Sequence, residues 1–168
     1  MLQIYTIIHT VISVIAIFTG LVVLFGMIAC QRLDRWTKWF LTTAVLTTVT
    51  GFFFPFHGFT PAIGLGIISL PFLAITIFAR YSGHLTGAWR WIYVVGAVIC
   101  LYFNLFVLVV QSFEKVPALH AMAPTQTECP FKLTQLVVLI VSTVLAIVAV
   151  IRFRPEPAPA ADGESPSI

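Results

Sequence analysis

Charge is what this chain has least of. Asp, Glu, Lys and Arg together make up 9% of its 168 residues, against about 25% in an ordinary soluble domain. So few charges cannot clothe a surface in water, so most of the exterior must face lipid. Cysteine is scarce as well: Cys30, Cys100 and Cys129 stand alone, with no C-x-x-C spacing, and no disulfide framework is implied. There is no internal repeat, no P-loop and no dinucleotide fingerprint. The apolar runs lack the alternating polar positions of a membrane barrel. The length allows one compact domain and no second one.

What is present is apolar sequence. The chain is 60% hydrophobic, with a mean hydropathy of +1.04. A bilayer core of about 30 Å is crossed by about 20 apolar residues in a helix. Five stretches meet that or nearly so: 4–30, 39–56, 61–79, 91–110 and 133–151. Lipid offers the backbone no partner, so each is expected to be helical. The fold class expected is therefore all-α and integral to the membrane: a five-helix transmembrane domain over 1–153. A disordered tail is expected over 154–168, where proline, alanine and small polar residues cannot bury enough surface to fold.

The connectors set the orientation. Alternation of five spans puts Arg32, Arg35, Lys38, Arg80, Arg90, Arg152 and Arg154 on one side, and only Lys115 and Lys132 on the other. Positive charge stays in the cytoplasm, so the N-terminus is expected outside and the C-terminal tail inside. Trp36, Trp39, Trp89 and Trp91 fall at the inner ends of helices, as an aromatic belt would. The first span lacks a basic n-region and is too long for a signal peptide. Met27–Cys30 resembles a lipoprotein cleavage site without its context. These basic residues are topogenic, and no nucleic-acid partner is expected.

Polar residues within the spans fall on single helical faces. They are His9, Ser13, Ala16 and Gly20 in the first span, and Thr43, Thr47 and Thr50 in the second. Gly96, Cys100, Asn104 and Gln111 follow in the fourth, and Gln135, Ser142, Ala146 and Ala149 in the fifth. Small and hydroxyl residues at such spacing let helices approach closely, so these stripes read as packing seams. His9, Ser13, Asn104, Gln111 and Gln135 are the expected polar bundle interior, with His9 and Asn104 at matched depth and expected to bond one another. Pro71 should free a carbonyl in the third span, with Ser69 near enough to help satisfy it.

The outer side collects His9, His57 and His120, beside the longest connector, from Ser112 to Lys132. Pro117 is placed to start a short helix that Pro124 stops. Two site readings follow. His120-x-Met122 with Cys129, and His57 as a further ligand, would suit copper(I), which favours thioether, thiolate and imidazole. His9 with His57 could ligate a b-type haem, although His57 lies at the rim beyond Pro55. Cys129 without a partner thiol argues against disulfide exchange.

The segments GFFFPF (51–56), GAWRWIYVV (87–95) and NLFVLVVQSFEKVPALHAMAPTQ (104–126) resemble uncharacterised small polytopic inner-membrane proteins of proteobacteria. The resemblance implies a bacterial inner-membrane setting and carries no catalytic residue with it. No paired carboxylates lie in a span, no nucleophile neighbours a base, and no buried Arg or Lys is expected as a substrate clamp. The expected role is that of a non-enzymatic accessory, assembly or scaffold component, with a membrane-protein partner or a homo-oligomer. A redox or metal-handling protein using haem b or copper is the alternative. A small transporter or oligomeric channel is the third reading, weakened by the missing inverted repeat and buried charge.

Overall fold

A computed structural model describes residues 2–54 and 61–154. Among them are six α-helices and no strand: α1 (Leu2–Ile28), α2 (Asp34–Gly51), α3 (Pro61–Tyr81), α4 (Ala88–Lys115), α5 (Pro117–Met122) and α6 (Cys129–Arg152). Four of these, α1, α3, α4 and α6, are long and apolar enough to cross a membrane. Their outer faces carry rows of exposed large apolar side chains, such as Ile4, Ile8, Val11 and Phe18 on α1 and Leu136, Ile140, Val144 and Ile147 on α6. Contiguous apolar surface of this extent belongs against lipid.

The second helix differs from the expected 39–56 span. It begins five residues earlier, at Asp34, and stops at Gly51. Its first turns therefore hold Asp34, Arg35 and Lys38, and six threonines lower its hydrophobicity further. Asp34 lies where a helix N-terminus favours negative charge. α1 has the expected length but ends at Ile28 rather than at residue 30, whereas α3, α4 and α6 are longer than the apolar runs alone indicate, because helix continues into polar residues such as Lys115 and Arg152. The short α5 starts at Pro117, a residue suited to a first helical turn. Of the expected tail, only Arg154 lies within the described residues.

The fourth helix is the hub, packing against α1, α2, α3 and α6, while α1 also packs on α2 and α6. α1 and α2 form an antiparallel pair along their whole length. Tyr5 and His9 meet Thr50, Gly20 meets Phe40, and Gly26 meets Leu33. The two ends of the bundle have opposite character. One, the basic end, holds Arg32, Asp34, Arg80, Arg90 and the end of α6. The other, the histidine end, holds Tyr5, His9, Thr50, Glu114 and Lys115.

The well-packed core lies in the basic half: Val23, Leu24 and Met27 of α1, Phe40, Leu41 and Ala44 of α2, Tyr93 to Leu101 of α4, and Ala149 and Phe153 of the α6 end. Small residues allow this closeness. A Cβ on Gly20 would come within 2.8 Å of both Leu101 and Phe40, and one on Gly96 would collide with the Thr76 side chain. Ala16 is fully buried on the same α1 face.

Candidate functional site

In the other half the seams part. The α1, α2, α3 and α4 residues there are Ser13, Thr47, Thr48, Gly51, Gly66, Ser69 and Asn104, too small or too polar to fill the space. The result is a cavity of about 630 Å³ that reaches the histidine end at Glu114 and Lys115. Such a volume is in the range of small-molecule sites, about 300–1,000 Å³. Below it the Gly20, Phe40 and Leu101 contacts close the bundle, so a pore reading requires more than one copy of the chain.

His9 stands on its wall. Its Nδ1 is 2.8 Å from Oγ1 of Thr50, and the Thr50 hydroxyl also lies 2.6 Å from the Leu46 carbonyl. A carbonyl only accepts, so the shorter contact takes the hydroxyl proton, and His9 Nδ1 donates to Thr50. In that tautomer Nε2 is an acceptor. Tyr5 donates to the Thr50 carbonyl at 2.5 Å. Phe54 packs edge-on to both rings, at 5.0 Å from Tyr5 and 5.1 Å from His9. The expected His9–Asn104 hydrogen bond does not form. Asn104 Nδ2 donates instead to the Cys100 carbonyl of its own helix at 2.8 Å. Both side chains still face the same cavity.

Ser13 and Gln111 join them there. Ser13 donates to the His9 carbonyl at 2.8 Å, and Gln111 Nε2 lies 3.3 Å from Glu114 Oε2. Gln135, expected among them, is elsewhere: its amide donates to the Phe106 carbonyl at 3.2 Å, tying α6 to α4. Its Oε1 is buried without a hydrogen-bond partner, as is the Thr47 hydroxyl oxygen. Ser69 donates to the Leu65 carbonyl at 2.8 Å, and so does not reach the Ile67 carbonyl that Pro71 leaves without a donor.

The soft-metal residues lie near the surface. His120 and Met122 are exposed on α5, and Cys129 is exposed as the first residue of α6. Among the described residues no three His, Cys, Asp or Glu side chains are grouped closely enough to hold a metal ion. His57, the second ligand of the haem reading and the optional one of the copper reading, lies outside the described residues.

Sequence reasoning missed the basic-end clasp. Arg80 is buried, contrary to the expectation that no Arg or Lys would be. It pairs with Asp34 and lies over the Tyr93 ring at 5.3 Å, while Asp34 also takes the Arg32 Nε at 3.2 Å. Tyr93 in turn shares a 3.2 Å hydrogen bond with Thr37. Beside it Arg90 Nη1 donates to the Val150 and Phe153 carbonyls, at 3.0 and 2.5 Å, capping the end of α6. These contacts join α2, α3, α4 and α6. The one available signal was Arg80 continuing an otherwise apolar helix. No family model matches the chain, and no curated protein and no solved structure matches it significantly.

Proposed function

We propose that this chain is a five-span protein of a bacterial inner membrane, with its N-terminus outside, and that it acts as a non-enzymatic accessory component. Its working part is the outer-half cavity, which holds a ligand without transforming it. The observation that carries this reading is the cavity's chemistry. His9 lines the cavity and is hydrogen-bonded to Thr50 of α2, and the short contact of the Thr50 hydroxyl to the Leu46 carbonyl makes His9 the donor in that pair. A base and nucleophile pair needs the reverse, together with a group that orients the base. Glu114 is at the rim beside Lys115, with no second carboxylate in the lining among the described residues.

The fifth span rests on α2. Its 18 residues reach about 27 Å at 1.5 Å per residue, and it runs beside α1 from Thr50 to Leu33. Its charged first turn then lies at the interface, on the side where Arg80, Arg90, Arg152 and Arg154 cluster. That asymmetry supports a cytoplasmic basic end. The bacterial inner membrane is the setting that the resemblance of 51–56, 87–95 and 104–126 implies.

Fusions of a periplasm-active phosphatase and a cytoplasm-fluorescent protein test the topology. Junctions after Leu33 and His84 should fluoresce, and junctions after Phe54 and Pro124 should give phosphatase activity. Identical reporters at Leu33 and Phe54 would remove the fifth span, and a fully inverted pattern would reverse the orientation. Affinity purification in mild detergent tests the accessory role. A stoichiometric partner or a stable homo-oligomer is expected, and a lone monomer that turns over a substrate would overturn it.

A further inference from the structure

We propose that the cavity binds a membrane-soluble amphiphile whose head group donates hydrogen bonds through hydroxyls, an alcohol or phenol head on an apolar body. This rests on the reading of the cavity as the working part. The distribution of protons in the wall points to it. Thr10, Ser13 and Ser69 each donate their hydroxyl proton to a carbonyl of their own helix, at 2.8 Å in every case. Their oxygens therefore face the cavity with lone pairs and no proton to give. His9, protonated at Nδ1 toward Thr50, offers Nε2 as an acceptor. Asn104 has one amide hydrogen committed to Cys100, which leaves one donor against the two lone pairs of its carbonyl oxygen. The Thr47 hydroxyl, buried and without a partner, is the other donor inside the cavity; the further protons of Gln111 and Lys115 lie toward the mouth, beside the Glu114 carboxylate.

Acceptors thus outnumber donors, and a ligand that brings protons satisfies the wall better than one that brings lone pairs. Charge narrows the class further. The lining's Lys115 adjoins Glu114, so the mouth has no net charge to select an anion or a cation. Phe52, Phe54 and Phe103 form much of the remaining wall and suit an apolar body. Aliphatic alcohols and phenols share this hydrogen-bonding chemistry and differ in the head they present to those rings.

The test uses the full chain in nanodiscs, with bound amphiphile counted by native mass spectrometry. The probes are 4-dodecylphenol and monododecanoyl glycerol, each beside its O-methylated analogue. The hydroxyl forms should be retained, and the ethers should bind about tenfold more weakly, the cost of leaving wall acceptors without donors. Ser13→Phe, which fills the cavity, should abolish retention. Should that variant fail to fold, Asn104→Leu should weaken the hydroxyl probes and narrow their margin over the ethers. Preference between the two hydroxyl probes identifies an aromatic or an aliphatic head. Equal binding of the ethers would overturn the hydroxyl-donor class while leaving a cavity that binds amphiphiles. No retention of any probe by the unmodified chain would overturn both the proposal and the reading of the cavity as the working part.

Discussion

The guanidinium carbon of Arg80 lies 5.3 Å from the ring centroid of Tyr93, which places a buried cation of α3 on an aromatic face of α4. Asp34 of α2 supplies the counter-charge. The arrangement is asymmetric, since the Arg80 side chain is 4% exposed and that of Asp34 66%. Removing Asp34 leaves a buried charge without its carboxylate, whereas removing Arg80 leaves a carboxylate that water can solvate. Asp34→Ala should therefore cost more than Arg80→Met, on the order of 3 kcal/mol for the former. The double variant should recover most of that loss. Unfolding in detergent of the two single variants and the double variant checks it, and additive losses would show that the pair is not coupled.

Arg90 clamps α6 by donating to the Val150 and Phe153 carbonyls. Hydrogen bonds from a charged donor to otherwise unsatisfied carbonyls contribute about 1.5–3 kcal/mol. Arg90→Ala should free the end of α6 and raise amide exchange over 149–153 without altering exchange in α1. Unchanged exchange there would mean that packing of Ala149 and Phe153 alone holds the helix end.

Two glycines carry the closest helix approaches, and they should respond differently to a methyl group. At Gly20 an added methyl would meet side-chain atoms of Leu101 and Phe40 at 2.8 Å, a shallower overlap than at Gly96. At Gly96 the neighbour is Thr76, a short branched side chain whose hydroxyl donates to the Phe72 carbonyl at 2.6 Å. Gly96→Ala should cost about 1–3 kcal/mol, and Gly20→Ala less. Thermal unfolding of both variants in the same detergent checks the order.

The loop between α5 and α6 has a pH-dependent anchor. Partial desolvation pushes the Glu128 carboxyl upward, but hydrogen bonds from the Thr125 hydroxyl and the Thr125 and Thr127 amides outweigh it and hold the group below its ordinary value. A group depressed in the folded state contributes its stability above the unfolded value, about pH 4.3, and loses it as pH falls through the folded value. Loop order should therefore be constant at neutral pH and decline only in acid. Carboxyl-detected NMR titration of Glu128, with the Thr125 and Thr127 amides followed alongside, checks this. Glu128→Gln should remove the acid transition.

Much of the bundle was legible in order of residues, because a span in lipid must be a helix and must be apolar over a fixed length. The α2 start was not. Asp34, Arg35 and Lys38 read as connector by hydropathy, but they lie in the first two turns of α2, where Asp34 suits a helix N-terminus and pairs with Arg80. The stripe His9, Ser13, Ala16, Gly20 was legible as one face, yet its two halves do different things. Ala16 and Gly20 close the bundle, whereas His9 and Ser13 line the space where it opens. Gln135 has the same type as the cavity residues and is excluded because α6 contributes no residue to the cavity wall, its amide bonding the Phe106 carbonyl of α4 instead.

The sequence by itself determined an all-helical chain with at least four apolar helices long enough to cross a membrane, most of its basic residues gathered at one end, and the polar faces of each helix. Hydropathy and helical period are local properties, so local sequence suffices for them. Only the tertiary structure decided which polar face meets which. It paired His9 with Thr50 rather than Asn104, buried Arg80 between Asp34 and Tyr93, and left a cavity at the histidine end. Those outcomes depend on how far apart four helices stand at a given depth, and that distance is set jointly by side chains from all of them.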